Sequence, residues 1–373
     1  MSVNDTYQGP VSADELVLLD NIPATEPVPE EISSRLNSKQ VFITGGGGAI
    51  RGAESLARVE GDADSWQIQL PGDAIIGRPG RRAERFEAGA LTTDAASASE
   101  TDANRPAWVD QIYHPKRSIA RSPQIMRSIK GNRVIPAYGV FGNDDRQVFY
   151  PSGYPWQCVG RVFTWEDASQ ASWSWSGSGV LVGSRVLLTA GHVVPWASSN
   201  WKVLFVPGYY DGGSVVGAGA TSWVSDAQGW NTDDHVAAHD MAVLRLYDPL
   251  GDALGWFGSK TYDRSWQDQP FWEVVGYPGA LAGAERPSYQ LGIPVLDDDS
   301  DGDAEEIEHQ GDVTAGDSGG PFFSFWADGF PYVIGTISGG ESISGSGAED
   351  NNIAAGGKAM VDLIIWALAN WPA

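Results

Sequence analysis

The chain has 373 residues and a formal net charge of −24, so its surface repels phosphate backbones and anionic headgroups and excludes nucleic acid and membrane as charge-driven partners. That charge speaks for solubility, while the length exceeds the usual size of one hydrophobic core and predicts two or more packed units. The single cysteine, Cys158, excludes a disulfide framework and a cysteine-based zinc site, and reads as a small buried hydrophobe.

The opening stretch, MSVNDTYQGPVSADELVLLD, lacks a basic region followed by an apolar one, and no segment approaches the roughly 18 apolar residues of a membrane span. Neither an export signal nor a transmembrane helix is therefore expected. Up to about residue 105, short apolar runs alternate with acidic, Ala/Ser-rich and Gly/Pro-rich tracts, which predicts a partly disordered N-terminal segment ending in a linker. GGGG at 45–48 has neither the Lys-Ser/Thr nor the strand-loop-helix frame of a phosphate loop and reads as a turn.

From Val134 onward, β-branched and aromatic runs such as GVLVGSRVLLTA, MAVLRLY and PYVIGTISGG are separated by Gly, Asp, Asn and Pro, the pattern of an all-β barrel or sandwich. An acidic tract, DDDSDGDAEEIE, sets Asp297, Asp299, Asp301, Gly302 and Glu308 at positions 1, 3, 5, 6 and 12 of a calcium-loop template. Strand-like flanks in place of helices make a solvated hairpin the favoured reading, with structural calcium the second. The C-terminus breaks the β pattern: Met360, Ile364, Leu368 and Trp371 share one helical face.

Three short blocks carry chemistry. LLTAGHVV puts His192 after an apolar run, AAHDMAVLRL puts Asp240 before another, and AGDSGGP puts Ser318 in a glycine-rich turn. A serine hydroxyl needs a base within hydrogen-bond reach, and that base needs a partner fixing its tautomer, roles suited to His192 and Asp240. Gly316, ahead of Asp317, allows the N–H groups of Gly316 and Ser318 to converge as an oxyanion hole, where one donor is worth about 3 to 4 kcal/mol. Singly, each block is as well read as a structural His, a turn-forming Asp or a tight Gly loop; all three together favour catalysis. His239 abuts Asp240 and points to the opposite face, and His114, His235 and His309 have no comparable frame.

TAGH, HDMAVLRL and GDSGGP resemble the catalytic blocks of the chymotrypsin-like serine peptidases. GNDDRQVFYPSGYPW, at 142–156, resembles more narrowly the glutamyl-endopeptidase branch. The resemblance implies two packed six-stranded antiparallel β-barrels with the C-terminal helix, a peptidase domain over 140–373, protein or peptide substrates, no required cofactor, and a secreted or extracytoplasmic setting. It implies a serine endopeptidase working through an acyl-enzyme on Ser318. The alternative from another class is a catalytically silent protein-binding module on the same fold.

Several positions depart from the family pattern. Trp175 and Val193 stand where many members carry a disulfide, so apolar packing is expected there. Asp317 stands where the glutamyl branch has Gln or Asn; in relatives with this Asp, an amine freed by proteolysis pairs with it. Cleavage after Arg133 or Gly139 would free Val134 or Val140, making 1–139 a pro-segment, or else a permanent regulatory region with its linker. Counted back from Ser318, Asp312 falls where trypsin-like members carry the pocket-base acid that selects Arg or Lys, while glutamyl-branch members can also carry an Asp in this segment without preferring basic residues, so the position supports both readings. Ser338 is expected beside the triad Asp, with Gly339 and Gly340 offering backbone to an extended substrate. Ile337 replaces the His typical of glutamate-preferring members.

Overall fold

The computed structural model describes residues 9–19, 28–37, 39–44, 57–58, 65–70, 77–91, 99–110, 112, 139–231, 237–342 and 349–371. Arg133, Val134, the glycines at 45–48, His114 and His235 lie outside the described residues.

GVLVGSRVLLTA folds as its turn signal predicts. The Gly183–Arg185 turn separates strands Trp175–Leu181 and Val186–Thr189, paired antiparallel with Val180 opposite Leu188. With Val159–Trp165, Lys202–Pro207, Ser222–Asn231 and Ala242–Leu246 they form a six-stranded barrel. Lys202–Pro207 pairs with both Val159–Trp165 and Ser222–Asn231, so this sheet closes on itself and its edges are removed. Val162, Leu181, Leu188, Phe205, Val224 and Val243 are among its fully buried side chains.

The second sheet is larger than the six strands the resemblance implies. Ten strands share it, and among the described residues it is an open path rather than a closed ring. Three of the ten are short additions: Gln147–Val148 pairs with Ser288–Ile293, Gly258–Lys260 with Pro331–Ser342, and Glu100–Thr101 with Gly258–Lys260. The last comes from within the expected linker, whose backbone donors and acceptors find a sheet edge there.

Other N-terminal pieces are packed onto the two sheets rather than set apart from them. Arg82–Glu87 runs parallel along Ser222–Asn231 as a seventh strand of the first sheet. Helix Ala13–Leu19 starts at Ser12 and Glu15, which bond each other's backbone N–H as a capping box (Glu15 N to Ser12 Oγ 3.3 Å, Ser12 N to Glu15 Oε2 3.0 Å). It is tied to the second sheet by Val11 N to Phe325 O at 2.7 Å, and it buries Ala13 and Leu16. The C-terminal helix, Lys358–Asn370, buries Met360 and Ile364 as the 3.6-residue period predicts, while Leu368 is more than a third exposed. Cys158 is buried and its Sγ donates to Leu254 O at 3.3 Å; burial pushes its thiol up, so it stays protonated.

The acidic tract is a hairpin of strands Val295–Asp301 and Ala304–His309, turning at Gly302, whose φ is +65°. Asp297, Asp299 and Asp301 occupy alternate positions along a strand instead of ringing a loop, with Asp297 opposite Glu308. Asp301 lies 3.4 Å from His239, and Asp298, on the other face, holds Arg264 at 2.7 Å. The calcium-loop geometry is thus replaced by strand pairing, and among the described residues no three His, Cys, Asp or Glu gather as a metal group.

Candidate active site

Strands Val186–Thr189 and Ala242–Leu246 are antiparallel neighbours, with Ala242 opposite Thr189. The chain just past the first and just before the second therefore meets at one end of the barrel, which brings His192 to Asp240. The Asp240 carboxylate accepts from His192 Nδ1 at 2.6 Å and His192 N at 2.8 Å, and from Ser338 Oγ at 2.6 Å. With Nδ1 occupied, the imidazole presents Nε2 away from Asp240. Burial pulls the His192 ring down, but the Asp240 charge and hydrogen bond outweigh it and hold it above its ordinary 6.5. Burial raises Asp240 in turn, and His192 and Ser338 outweigh that to leave it below its ordinary value and ionised.

Both flanks of this corner are pinned. Glu306 of the second sheet accepts from Ala238 N at 3.1 Å, in the turn before Asp240. Trp196 Nε1 donates to Gly191 O at 2.8 Å. Where relatives carry a disulfide, Trp175 Nε1 and Thr164 Oγ1 both donate to Val193 O at 3.0 Å, so hydrogen bonds accompany the expected apolar packing. His239 is buried against Trp230, away from the Asp240 carboxylate, and burial holds it below its ordinary value.

Ser318 is brought to the same corner from the second sheet. Ser318 O accepts from Ser178 N at 2.7 Å, and Gly319 N donates to Ile337 O at 2.8 Å, directly beside the Ser338 that touches Asp240. Gly316 has φ +107°, a conformation open to glycine, and a Cβ there would overlap the Tyr277 carbonyl oxygen. Ala315 O accepts from Gly279 N at 2.8 Å. In a trans peptide C=O and N–H point opposite ways, so the Gly316 N–H faces away from Gly279. Ser178 Oγ fixes the next peptide too: it donates to Gly316 O at 2.7 Å and accepts from Tyr277 N at 2.9 Å.

Asp317 is buried, and its Oδ2 accepts from Arg146 Nη1 at 2.7 Å and Thr314 N at 2.9 Å. In the uncut chain its described cation is the internal Arg146, and Val140 is exposed. Burial lifts the Asp317 carboxyl to about 6 against the pull of Arg146. Burial also opposes the Arg146 charge, which Asp144 and Asp317 nonetheless hold above its ordinary value.

Asp312 does not serve as a pocket floor. Its Oδ1 accepts from Phe141 N at 2.8 Å, its Oδ2 from Asp145 N at 2.8 Å and Gln290 Nε2 at 3.3 Å, and the residue is fully buried. A carboxylate spent on backbone amides has little left to offer a substrate cation, so the expected Arg/Lys preference loses its basis. Ile337 is buried in an apolar cluster with Val313, Phe322 and Ala354. The pairing of strand Pro331–Ser342 with Pro321–Phe325 stops at Thr336, so that one edge of Ser338, Gly339 and Gly340 is not covered by that strand, and a Cβ at Gly339 would meet open space.

Arg146, Ser178 and Glu306 are the contributors that sequence reasoning misses. Each acts on a partner more than 60 residues away, and only the Asp-Asp-Arg run draws notice to one of them.

A family model described as Trypsin matches residues 153–358. An extracellular metalloprotease of Bacillus subtilis (strain 168) is 21% identical over 221 residues, covering 57% of this chain and 68% of that protein. Among solved structures, a Glu endopeptidase in complex with MPD is 19% identical, covering 62% of this chain and 100% of its own, with a TM-score of 0.49. Protease Anisep from Arthrobacter nicotinovorans is 20% identical, covering 60% and 99%, with a TM-score of 0.45.

Proposed function

Because the chain belongs to the trypsin family of serine peptidases, we propose that it is an endopeptidase working through an acyl-enzyme on Ser318. The Ser318 hydroxyl attacks the scissile carbonyl while His192 Nε2 takes its proton. The tetrahedral oxyanion is held by the N–H groups of Gly316 and Ser318, and His192 returns the proton to the leaving amine. Water then repeats the sequence to free the acid. The observation that carries this reading is Asp240 accepting at once from His192 Nδ1 and Ser338 Oγ, both at 2.6 Å, since only that tautomer leaves Nε2 a base.

The likeness to a relative named as an extracellular metalloprotease supports a peptidase acting outside the cytoplasm, but the residues here favour serine chemistry. Hydrolysis of a protein substrate should survive EDTA and stop with a fluorophosphonate. Inactivation by EDTA with recovery on adding zinc would overturn the serine reading; absence of any hydrolysis would favour the silent binding module.

Two further outcomes are expected. His192 must be neutral to act as base, and it is held above 6.5, so kcat/KM should fall as pH drops through a midpoint above 6.5. An acid limb centred near 4 would point to a carboxylate base instead. With the Asp312 carboxylate held by backbone amides, it is not left to select a basic side chain, and cleavage is expected without a preference for Arg or Lys. A peptide-library profile dominated by cleavage after Arg or Lys would contradict this.

A further inference from the structure

We propose that Arg146 is a positioning residue that braces the oxyanion loop from within the chain, so that the site is competent without a break at 133/134 or 139/140. The inference rests on the serine-peptidase reading above. A buried carboxylate beside the nucleophile needs a counter-charge, and Arg146 supplies it with its side chain 2% exposed against 1% for Asp317.

The guanidinium is held on three sides. Nε and Nη2 donate to the two oxygens of Asp144 at 2.9 and 2.7 Å, while Nη1 donates to Thr314 Oγ1 at 2.9 Å and to Asp317 Oδ2 at 2.7 Å. Thr314 and Asp317 are the two ends of the turn that contains Ala315 and Gly316, and Asp317 N closes that turn on Thr314 O at 3.0 Å. One planar cation therefore clamps both ends of the loop whose Gly316 and Ser318 N–H groups would receive the oxyanion. The other oxygen of Asp317, Oδ1, is buried and lies against Gly276, where a Cβ would overlap it.

The segment bearing Arg146 is itself fixed with the 139–140 bond intact. Gly139 N donates to Asn352 Oδ1 at 2.8 Å, and Gly139 O accepts from Asn352 Nδ2 at 2.8 Å and Val313 N at 3.0 Å. Asp312 then receives Phe141 N and Asp145 N. Its buried carboxylate thereby sets the backbone that delivers Arg146 to Asp317.

The test is active-site titration of the full-length chain with a fluorophosphonate, its N-terminus and intact mass checked before and after. The uncut chain is expected to label stoichiometrically at Ser318. Arg146→Ala is expected to lower kcat by about 100-fold, the scale of one lost oxyanion donor, with KM moved less than about threefold. Arg146→Lys should recover part of the loss, since a point charge reaches Asp317 without holding Asp144 and Thr314 together. Should Arg146→Ala not fold, labelling of the uncut wild type decides alone. Labelling only after the chain is cut to begin at Val134 or Val140, or wild-type kcat in Arg146→Ala, overturns the inference and leaves the peptidase reading standing. Failure of both cut and uncut chains to label overturns both.

Discussion

Asp240→Asn is expected to lower kcat by about four orders of magnitude without unfolding the protein, the scale seen when the orienting carboxylate of a Ser-His-Asp site becomes an amide. The geometry gives the reason. Oδ2 accepts two donors, His192 Nδ1 and Ser338 Oγ, and Oδ1 accepts the His192 backbone N–H. An amide has one oxygen, so either orientation turns an NH2 toward a donor. With NH2 toward the ring, the imidazole must carry its proton on Nε2 and can no longer accept from Ser318. With NH2 toward the backbone, the His192 N–H loses its acceptor and the loop shifts. Single-turnover hydrolysis of a peptide ester, with melting temperature as the control, measures this. A loss below about tenfold would mean that Asp240 does not orient the base.

Gly316→Ala should lower kcat by about 10²- to 10³-fold with little change in KM, the effect of removing one preorganised donor. At φ +107° an alanine is strained, and its Cβ would overlap Tyr277 O, so the Ala315–Gly316 peptide must rotate. Rotation breaks Ala315 O from Gly279 N and turns the Gly316 N–H away from the position the oxyanion would take. Steady-state kinetics on peptide and ester substrates separate kcat from KM. A wild-type kcat in a folded Gly316→Ala protein would show that this N–H has no part in the reaction.

These two predictions rest on residues that stand out in the sequence, because each sits in a short local pattern. His192 follows a strand, Asp240 precedes one, and Gly316 lies two residues before Ser318. The strands are legible for the same reason: alternation and turn residues act over a few positions, and GVLVGSRVLLTA turns where its glycine and serine stand. The terminal helix follows from its period, with Met360 and Ile364 inward.

What the sequence hides depends on distance along the chain. Its spacing to Ser318 makes Asp312 read as a specificity acid, yet its partners, Phe141 and Asp145, are about 170 residues upstream. The resemblance gives Asp317 an amine, and the structure gives it Arg146, also far upstream. A carboxylate's neighbours decide whether it meets substrate, cation or backbone, and no local pattern encodes them. In the N-terminal region the composition around residue 100 suggests a linker, but Glu100–Thr101 gains order by pairing with Gly258–Lys260, and farther upstream Arg82–Glu87 pairs with Ser222–Asn231. The acidic tract has the spacing of a calcium template, and pairing of its two halves sets Asp297, Asp299 and Asp301 along a strand, a pairing that spacing does not reveal.

The most direct test of the serine chemistry is rapid-quench mass spectrometry with a p-nitrophenyl ester, whose deacylation is slow. A burst of nitrophenolate equal to the enzyme present is expected, with the acyl group recovered on the peptide containing Ser318 and absent from Ser318→Ala. A linear release with no burst and no acyl group on Ser318 would contradict it.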